Sequence, residues 1–580
     1  MPNKISEISL VIAGEAGQGV QSIEVTLVNV IKQSGCNVFA TKEYMSRVRG
    51  GINSTQIRVS KRRRASYVEK TDIFIPLEKQ AIDRLSDRIQ KNTMIIGEAE
   101  KLGDSRVMDV DFTKIATELG NAIYRSMAAA GCACGIIGIG LEKAPDYIKK
   151  VFAQKGDAVI KSNIAAFLAG YDEGRKIAAS KKYRPELKSD IAVEKELLLS
   201  GADAVAIGAI AGGCDSVFAY PMTPATGVFT ALAEYQHKAG IAVEQAEDEP
   251  GVINMALGAW YAGGRALVST SGGGFALMTE GISMAGITET PVVVHLAQRP
   301  GPATGLPTRT EQGDLNLALY AGHGVFPRII LAPGNTRQAF ELAAVAFDLA
   351  DRFQAPVFIL TDQYFVDTYY NVPMLKVNAE PLQKYIVETA EDYKRYALAK
   401  DGFSPRGVPG FGKGTVCSDS DEHDESGRIT EDLRGISLAM KNKRMRKFAA
   451  VQQAALPPEL YGPRKYRNLI VTWGSTLNGV LEALELSGLG ETALLHFHQV
   501  YPLHKDTEKY LKKAEKTIAV ENNQTAQFAA LIKAETGMEI NDSILRYDGF
   551  PFAADALAAE LKKLFCSKSA NRNSRSNRGE

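Results

Sequence analysis

The sequence is poor in cysteine, with six in 580 residues, and no two of them form a Cys-x-x-Cys pair. An iron–sulfur cluster needs four suitably spaced thiolates, and a zinc site needs four nearby Cys or His ligands. We therefore expect no metal site in this chain. Cys132 and Cys134 flank one alanine in a Gly/Ala-rich stretch, which favours buried small residues. So few cysteines in so long a chain are typical of a reduced, cytoplasmic protein.

The sequence also lacks a long apolar run and a charge excess. No stretch of about 18 apolar residues could form a membrane-spanning helix. The net charge is +1, from 68 basic and 67 acidic side chains, so no electrostatic field recruits nucleic acid or an anionic membrane. The N-terminal residues MPNKISEISLVIAG have no apolar stretch followed by a small-residue cleavage site. We expect a cytoplasmic protein that binds neither nucleic acid nor membrane.

What the sequence contains is a repeated order of apolar strand, glycine turn and amphipathic helix. This order predicts an α/β protein of three Rossmann-like, doubly wound units. The clearest predicted strands are 8–13, 71–77, 216–219, 266–270, 291–297 and 517–520, and the clearest late helix is 527–536. The predicted domains are a first unit at 1–175, a linker at 176–196, a second unit at 197–375, an irregular segment at 376–465, a third unit at 466–566 and a disordered tail at 567–580.

A glycine turn follows the first predicted strand, with Gly14, Gly17 and Gly19 opening a helix. Such a turn leaves helix N–H groups free to bind an anion. Glycine also satisfies ordinary strand-to-helix turns, so both interpretations stay open. Arg47 and Arg49 follow some 30 residues later and could add positive charge beside the turn.

Two later segments place polar side chains at strand ends. The segment Tyr220-Pro-Met-Thr223-Pro follows strand 216–219, and its two prolines fix a turn that presents the Thr223 hydroxyl. Arg299 follows strand 291–297, where a guanidinium is well suited to grip a carboxylate. Open α/β sheets bind ligands at the carboxyl ends of their strands. An ordinary turn and a surface arginine would give the same patterns.

Acidic residues cluster before a predicted helix, namely Glu244, Glu247, Asp248 and Glu249. Acids near a helix N-terminus are stabilised by the helix dipole, which is the simpler interpretation. One of these carboxylates facing inward could instead bond a protonated heterocycle.

Read together, these segments resemble the 2-oxoacid:ferredoxin oxidoreductases, specifically the α subunit with the γ domain fused at its N-terminus. GEAGQGV and YMSRVRGGINSTQIRVS resemble the γ domain. The α-subunit strings follow in the family's order: YPMTPAT, VEQAEDEPGVINMALGAW, STSGGGFALMTEGI and QRPGPATGLPTRTEQGDL. Within the family, the sequences EHDESG and LPTRTEQGDL are most similar to the 2-oxoglutarate type. The turn departs from the family at Ala225-Thr226-Gly227, where a Ser/Thr-Glu pair is common.

The resemblance implies an activity and a set of site residues. The activity is CoA-dependent oxidative decarboxylation of 2-oxoglutarate to succinyl-CoA and CO2, with one-electron transfers to ferredoxin. Thr223 would bond the substrate and Arg299 would pair with its carboxylate, with Tyr220 and Thr308 in the same pocket. Glu249 would face the aminopyrimidine of thiamine diphosphate, and Glu247 is the alternative residue for that role.

The resemblance also implies partners. The chain has no Gly-Asp-Gly motif for magnesium and diphosphate, which belongs to the family's β subunit. We therefore expect a heterodimer in which the β subunit binds most of the thiamine diphosphate and its Mg, and alone carries an iron–sulfur cluster. Coenzyme A would lie near the glycine turn, with Arg47 or Arg49 as phosphate partners. Two alternatives stay open: the same machinery acting on pyruvate or branched-chain 2-oxoacids, and a non-catalytic coenzyme-binding relative.

Overall fold

The computed structural model describes residues 5–46, 50–187, 189–377 and 381–566. The predicted phosphate partners Arg47 and Arg49, and the predicted tail 567–580, lie outside these residues. The chain divides into two compact units. The first unit contains Met1–Ser200, Asp367–Leu375 and Ala553–Ala556; the second contains Gly201–Val366, Lys376–Phe552 and the residues from Leu557 onward.

The strands of the described residues are β1 (Glu7–Glu15), β2 (Asn37–Glu43), β3 (Ile52–Ser60), β4 (Ile73–Pro76), β5 (Met94–Gly97), β6 (Val107–Asp109), β7 (Leu197–Ser200), β8 (Ser216–Ala219), β9 (Ala242–Gln245), β10 (Ala266–Thr270), β11 (Val292–Gln298), β12 (Ile329–Leu331), β13 (Pro356–Asp362), β14 (Tyr369–Val372), β15 (Glu459–Tyr461), β16 (Asn468–Trp473), β17 (Thr492–Phe497), β18 (Gln499–Tyr501), β19 (Lys516–Glu521) and β20 (Asp542–Leu545).

The α-helices of the same residues are α1 (Val20–Gln33), α2 (Lys79–Arg84), α3 (Ala99–Leu102), α4 (Phe112–Glu118), α5 (Arg125–Ile137), α6 (Ala144–Val151), α7 (Asp157–Ser180), α8 (Ile191–Glu194), α9 (Gly201–Ala211), α10 (Thr226–Ala239), α11 (Glu249–Tyr261), α12 (Gly272–Leu277), α13 (Thr279–Ile287), α14 (Leu315–Tyr320), α15 (Thr336–Phe353), α16 (Gln363–Asp367), α17 (Ile436–Gln453), α18 (Thr476–Ser487), α19 (Thr507–Leu511), α20 (Gln527–Thr536) and α21 (Ala554–Cys566). None of them is both long and apolar enough to cross a lipid bilayer.

The first unit is built on one sheet with the strand order β6-β5-β4-β1-β3-β2-β14-β7. Strands β1, β4, β5 and β6 are parallel, whereas β3, β2, β14 and β7 pair antiparallel. Side chains alternate across a strand, so Leu10 and Ile12 of β1 enter one apolar core while Val11 and Ala13 enter another on the opposite face. Both faces of the strand are therefore buried.

Helices α5 and α7 of the first unit touch backbone to backbone through four glycines. A Cβ atom would lie 1.9 Å from Phe167 O at Gly131 and 2.1 Å from Tyr171 O at Gly135. In the reverse direction, a Cβ atom would lie 2.0 Å from Ala128 O at Gly170 and 2.2 Å from Cys132 O at Gly174. These distances are too short for any side chain. Cys132 and Cys134 are fully buried here as free thiols, which confirms their interpretation as buried small residues.

The second unit contains two sheets. The larger has the order β18-β12-β13-β11-β10-β8-β9, parallel except for β18, and the smaller has the order β15-β17-β16-β19-β20, parallel except for β15. Helices such as α15, with Phe340 and Phe347 buried, cover the larger sheet. The prediction of three Rossmann-like units is confirmed by this architecture.

Several predicted elements are confirmed: the strands 216–219 and 266–270 are β8 and β10, and the helix 527–536 is α20. The structure differs at two predicted boundaries. Helix α7 continues through residue 175 to Ser180, and its last turns are buried at Ile177 and Ala178, with Ile177 in the apolar core of the first unit. The residues of β7 and β14 fall within the predicted second unit, 197–375, but β14 pairs with β7 and with β2 in the sheet of the first unit. Pairing between strands so distant in the chain leaves no local sequence signal.

Among its described residues, the segment 376–465 contains one long helix, α17, and one short strand, β15, together with loops and isolated bridges. It is fixed to the second unit by a buried cluster around Glu289. Lys443 Nζ lies 2.6 Å from Glu289 Oε1, and Lys447 forms an ion pair with the other carboxylate oxygen. Arg395 also donates a 2.8 Å hydrogen bond to the Glu289 carbonyl. The segment is thus held by buried charge pairs as well as by the pairing of β15 with β17 of the smaller sheet.

Candidate active site

The site is built at the carboxyl ends of three neighbouring parallel strands, β8, β10 and β11. Each strand ends in a polar loop: Tyr220–Pro224 after β8, Ser271 and the glycines of α12 after β10, and Arg299 after β11. Because parallel strands end at the same edge of a sheet, residues far apart in sequence meet there. Tyr220 is partly exposed at 37%, and Thr223 is half-buried.

Arg299 is held directly against the turn that carries Thr223. Its Nη1 donates a 2.7 Å hydrogen bond to the carbonyl oxygen of Thr223. Its Nε is buried and makes no hydrogen bond within the described structure. Burial lowers the pKa of Arg299 from its ordinary value, and the negative charge of Asp314 opposes that shift. The structure thus brings Thr223 and Arg299 together and leaves the Nε of the guanidinium buried without a partner in the described structure.

Glu249 is the first residue of α11 and is only 4% exposed. Asp248, the preceding residue, caps the helix by accepting a 2.6 Å hydrogen bond from Gly251 N. Glu247 is exposed. Of the acidic cluster predicted from sequence, Glu249 is therefore the carboxylate directed into the protein.

The glycines that open α12 connect Glu249 with the Thr223 turn. Gly274 N donates to the sulfur of Met222 at 3.3 Å. A Cβ atom at Gly274 would lie 2.8 Å from Glu249 Oε1 and 2.3 Å from Thr270 Oγ1. At Gly273 the nearest atom would be 3.8 Å away, an ordinary van der Waals distance, so that position has room for a methyl group. We call Gly272, Gly273 and Gly274 the glycine cradle. Its shape depends on the absence of side chains at these positions.

Asp314 belongs to the same group of residues, although it was absent from the predicted site. Its backbone N–H donates 3.0 Å to Gln298 Oε1 at the end of β11, and a Cβ atom on Gly272 would lie 2.5 Å from its Oδ2. Burial raises the pKa of Asp314 to about 7, aided by the charge of Glu311 and opposed by Arg299. In the sequence Asp314 is the last residue of TEQGD, a string that gives no sign of this position; the hydrogen bond of its backbone N–H to Gln298 places it at the end of β11.

Three polar atoms at this edge are buried and have no hydrogen-bond partner among the described residues: Ser271 Oγ, Arg299 Nε and Asp314 Oδ2. Unpaired buried polar groups cost free energy, and native proteins satisfy nearly all of them. These orphaned atoms, the buried Glu249 and the glycine cradle fit a ligand with polar and anionic groups. Within the described residues no cluster of three His, Cys, Asp or Glu side chains is arranged to bind a metal.

A buried series of hydrogen bonds links the polar side chains of β10, β11 and β13 behind the site. Ser269 Oγ donates 3.1 Å to Ala225 O, so His295 Nδ1, 2.9 Å away, carries the proton that it donates to Ser269. His295 Nε2 accepts from Thr361 Oγ1 at 2.8 Å. Burial lowers the pKa of His295 to about 3, so the ring stays neutral. Gln298 Nε2 continues the series by donating to Thr361 O at 3.0 Å.

The loop after Arg299 runs to the smaller sheet of the second unit. Thr310 N donates 3.2 Å to Gly549 O, and Gln312 exchanges backbone and side-chain hydrogen bonds with Asn522. Thr308 is buried in this loop at 8% exposure, but none of the described hydrogen bonds links it to Thr223 or Arg299. It is therefore the predicted pocket residue that the structure joins least closely to the others.

In the first unit, the predicted glycine turn lies between β1 and α1. Gly14 is within β1, where a Cβ atom would lie 2.6 Å from Gln18 Oε1. Gly17 and Gly19 have φ values of 93° and 85°, which disfavour any side chain. The conformation of the turn thus requires glycine at Gly17 and Gly19, whether or not an anion binds.

Comparison with known proteins reveals the family. A model described as pyruvate ferredoxin/flavodoxin oxidoreductase matches residues 9–173. A second, described as pyruvate flavodoxin/ferredoxin oxidoreductase, thiamine diP-bdg, matches residues 207–442 and so extends past the predicted limit at 375. A 2-oxoacid:ferredoxin oxidoreductase subunit alpha from Sulfolobus sp is 32% identical, with 96% of this chain and 97% of the relative covered. The chain belongs to this family. It is an α subunit with a thiamine diphosphate-binding domain and the γ domain fused at its N-terminus, and the resemblance inferred above is confirmed.

Two further proteins similar to this chain are named for 2-oxoglutarate. The 2-oxoglutarate oxidoreductase subunit KorA of Mycobacterium tuberculosis is 25% identical, with 96% of this chain and 92% of the relative covered. The 2-oxoglutarate:ferredoxin oxidoreductase from Magnetococcus marinus, whose structure holds 2-oxoglutarate, coenzyme A and succinyl-CoA, aligns with a TM-score of 0.88 at 29% identity. That alignment covers 96% of this chain and 99% of the Magnetococcus chain. The Sulfolobus relative is named subunit alpha, which indicates that proteins of this family work as parts of a multi-subunit complex.

Proposed function

We propose that the complex containing this α subunit oxidises 2-oxoglutarate. In the reaction, 2-oxoglutarate and coenzyme A give succinyl-CoA, CO2, a proton and two electrons, and each electron reduces one ferredoxin. The observation that carries the proposal is the Arg299 guanidinium, fixed by its bond to Thr223 O with a buried Nε lacking a partner. The relatives named for 2-oxoglutarate support the choice of acid.

The residues of this chain divide the work of binding and orientation. Arg299 pairs through its Nε edge with the carboxylate beside the keto group, because a charge-assisted hydrogen bond is stronger than a neutral one. The Thr223 hydroxyl bonds the same end of the acid, and Tyr220 and Thr308 complete the pocket. With thiamine diphosphate bound, Glu249 would hold a proton toward the ring nitrogen of the aminopyrimidine. Bound thiamine diphosphate supplies the electron sink for decarboxylation.

A β subunit completes the enzyme in this proposal. It would hold most of the thiamine diphosphate with its Mg and would carry the iron–sulfur cluster that leads to ferredoxin, since this chain has no Gly-Asp-Gly motif and no Cys-x-x-Cys pair. Coenzyme A binds at the glycine turn of Gly14, Gly17 and Gly19, where the N-terminus of α1 favours an anion. Arg47 and Arg49 are its phosphate partners in this scheme.

The proposal is tested by purifying the chain with its genomic neighbour as a complex. We expect 2-oxoglutarate to be turned over with coenzyme A and a viologen dye at a kcat/KM well above those for pyruvate and a branched-chain 2-oxoacid. A clear preference for pyruvate would overturn the choice of substrate. A stable homodimer without a cluster-bearing partner, or no turnover of any 2-oxoacid, would instead support a non-catalytic coenzyme-binding relative.

A further inference from the structure

Arg299 and Asp314 are the first and last residues of the loop that joins β11 to α14, and both lie close to the carboxyl end of β11. Their charges interact, since each affects the pKa of the other, but they do not form an ion pair in the described structure. Arg299 uses Nη1 on the Thr223 carbonyl and leaves Nε buried and unpaired, while Asp314 leaves Oδ2 buried and unpaired. A charged pair left open in this way suits an anion that takes the guanidinium as its own partner.

We propose that Asp314 is a substrate-facing residue whose protonation controls the affinity of Arg299 for a 2-oxoacid carboxylate. Protonated Asp314 admits the carboxylate and can donate a hydrogen bond to it from Oδ2. Ionised Asp314 places a second negative charge beside the substrate and competes for the guanidinium. Two carboxylates close together in a buried site do not both ionise readily, because their repulsion is poorly screened there. The inference rests on the proposed function, since it takes a 2-oxoacid as the ligand of Arg299.

The surroundings of Asp314 support this switch. Arg299 acts on it from the end of β11, and Glu311 acts from its own loop. From α12 it meets Gly272, whose missing side chain leaves room for Oδ2. The acidic residue of α11, Glu249, lies at Gly274 rather than at Gly272. Burial already raises the pKa of Asp314 to about 7, so the two protonation states exchange in the neutral range.

The first test compares the pH dependence of KM for 2-oxoglutarate in the purified complex and its Asp314→Asn variant. In the unsubstituted protein, KM should be constant at low pH and rise about tenfold per pH unit above the pKa of Asp314. The variant mimics the protonated acid, so its KM should be flat and, at pH 8, about tenfold lower than that of the unsubstituted protein. Equal pH profiles would overturn the proposal while leaving the proposed function intact. Loss of 2-oxoacid turnover by the unsubstituted complex would count against the function instead.

A second measurement separates a charge effect from a structural one. If the carboxylate must be protonated when substrate binds, calorimetry of the complex at pH 8 in two buffers of different ionisation enthalpy should detect uptake of about one proton per 2-oxoglutarate. The Asp314→Asn variant should lose this uptake, which a merely structural residue would not change. Uptake that persists in the variant would contradict the proposal.

Glu311→Gln keeps the test decisive even if Asp314→Asn does not fold. Removing the Glu311 charge should lower the pKa of Asp314 and move the midpoint of the KM profile to lower pH without abolishing the dependence. An unmoved midpoint in a folded, assembled variant would overturn the proposal. The exposed Glu508→Gln, at the smaller sheet, should leave the profile unchanged.

Discussion

Arg299 and Thr223, which are 76 residues apart in the chain, are joined by a 2.7 Å hydrogen bond from Nη1 to the backbone carbonyl. This hydrogen bond occupies Nη1 and fixes the position of the guanidinium, whereas Nε is buried without a partner in the described structure. In the proposed function, the Nε edge pairs with the substrate carboxylate. A lysine has one ammonium group and cannot serve both purposes with the same geometry. In the proposed function, substrate binding therefore depends on the fork of arginine and not only on its charge.

From this relationship we expect Arg299→Ala to lower kcat/KM for the 2-oxoacid by about one to three orders of magnitude, because a buried charge partner is lost. Arg299→Lys should recover little of the activity. Steady-state kinetics of the complex with a viologen dye provide the measurement. The exposed Arg352→Ala, over the ring of Phe353, is the control and should stay near unsubstituted rates. Near-normal kinetics for Arg299→Ala would mean that the arginine has only a structural role.

Glu249 and Glu247 form a matched pair of carboxylates, one buried and one exposed. We expect Glu249→Gln to lower kcat by about 10²–10⁴-fold, the range for loss of a positioned proton-transfer group. Glu247→Gln should have little effect. The measurement is the single-turnover rate of each variant, together with the fraction of the variant that assembles with the β subunit. A variant that assembles normally but reacts slowly has lost catalysis and has not misfolded. If the larger loss occurs in Glu247→Gln, the roles of the two residues must be exchanged.

The glycines of α12 allow a test of the cradle by one methyl group. Gly274→Ala would place a carbon 2.3 Å from Thr270 Oγ1 and 2.8 Å from Glu249 Oε1, so one of them must move. We expect kcat/KM to fall by more than about tenfold. Gly273→Ala, with its nearest atom 3.8 Å away, should change kcat/KM by less than about twofold. Equal effects in the two variants would show that the cradle is not shaped as described.

The buried Glu289 should govern acid stability. Burial alone would raise its pKa, but Lys447, Lys443 and Arg395 together hold the pKa well below its ordinary value of 4.5. Glu289→Gln leaves the buried lysines uncompensated and should lower the free energy of unfolding by about 3–5 kcal/mol. The measurement is the thermal denaturation midpoint at neutral pH. Glu508→Gln, which removes an exposed pair with Lys512, should cost at most about 1 kcal/mol.

The pH dependence of this difference follows from the lowered pKa. The stabilisation by Glu289 is complete above the pKa of the unfolded chain and is lost as the pH falls toward the lower pKa of the folded protein. Below pH 4.5, the advantage of the unsubstituted protein over Glu289→Gln should therefore shrink by about 1.4 kcal/mol per pH unit. An advantage that stays constant down to pH 3 would contradict this account.

Much of the fold was predictable because local patterns determine it. Strands such as β8 and β10 are short apolar runs bounded by turn residues, and their limits agree with the predicted ones. The pairing of β14 with β2 was not predictable, since the register between Tyr370 and Phe39 depends on strands more than 300 residues apart. Sheet membership is a tertiary property, so the predicted boundaries at 197 and 375 followed chain order instead.

The candidate site was also predictable only in part. Thr223, Arg299 and Glu249 stand in recognisable motifs, and the sequence located them at strand or helix ends. Asp314 was missed because its importance comes from unpaired burial beside Arg299, which no spacing reveals. His295 was missed for a related reason, since a histidine inside an apolar strand has no pattern until its two hydroxyl partners are known.

The glycine crossing between α5 and α7 has a consequence for the evolution of the first unit. Each of the four glycines faces a carbonyl oxygen of the other helix, and those of α5 and α7 occupy equivalent places. A single methyl group at any of them would force the helix axes apart and so open space at the remaining three. The four positions should thus mutate as a set or not at all, and homologues with alanine at one of them should carry larger residues at the others.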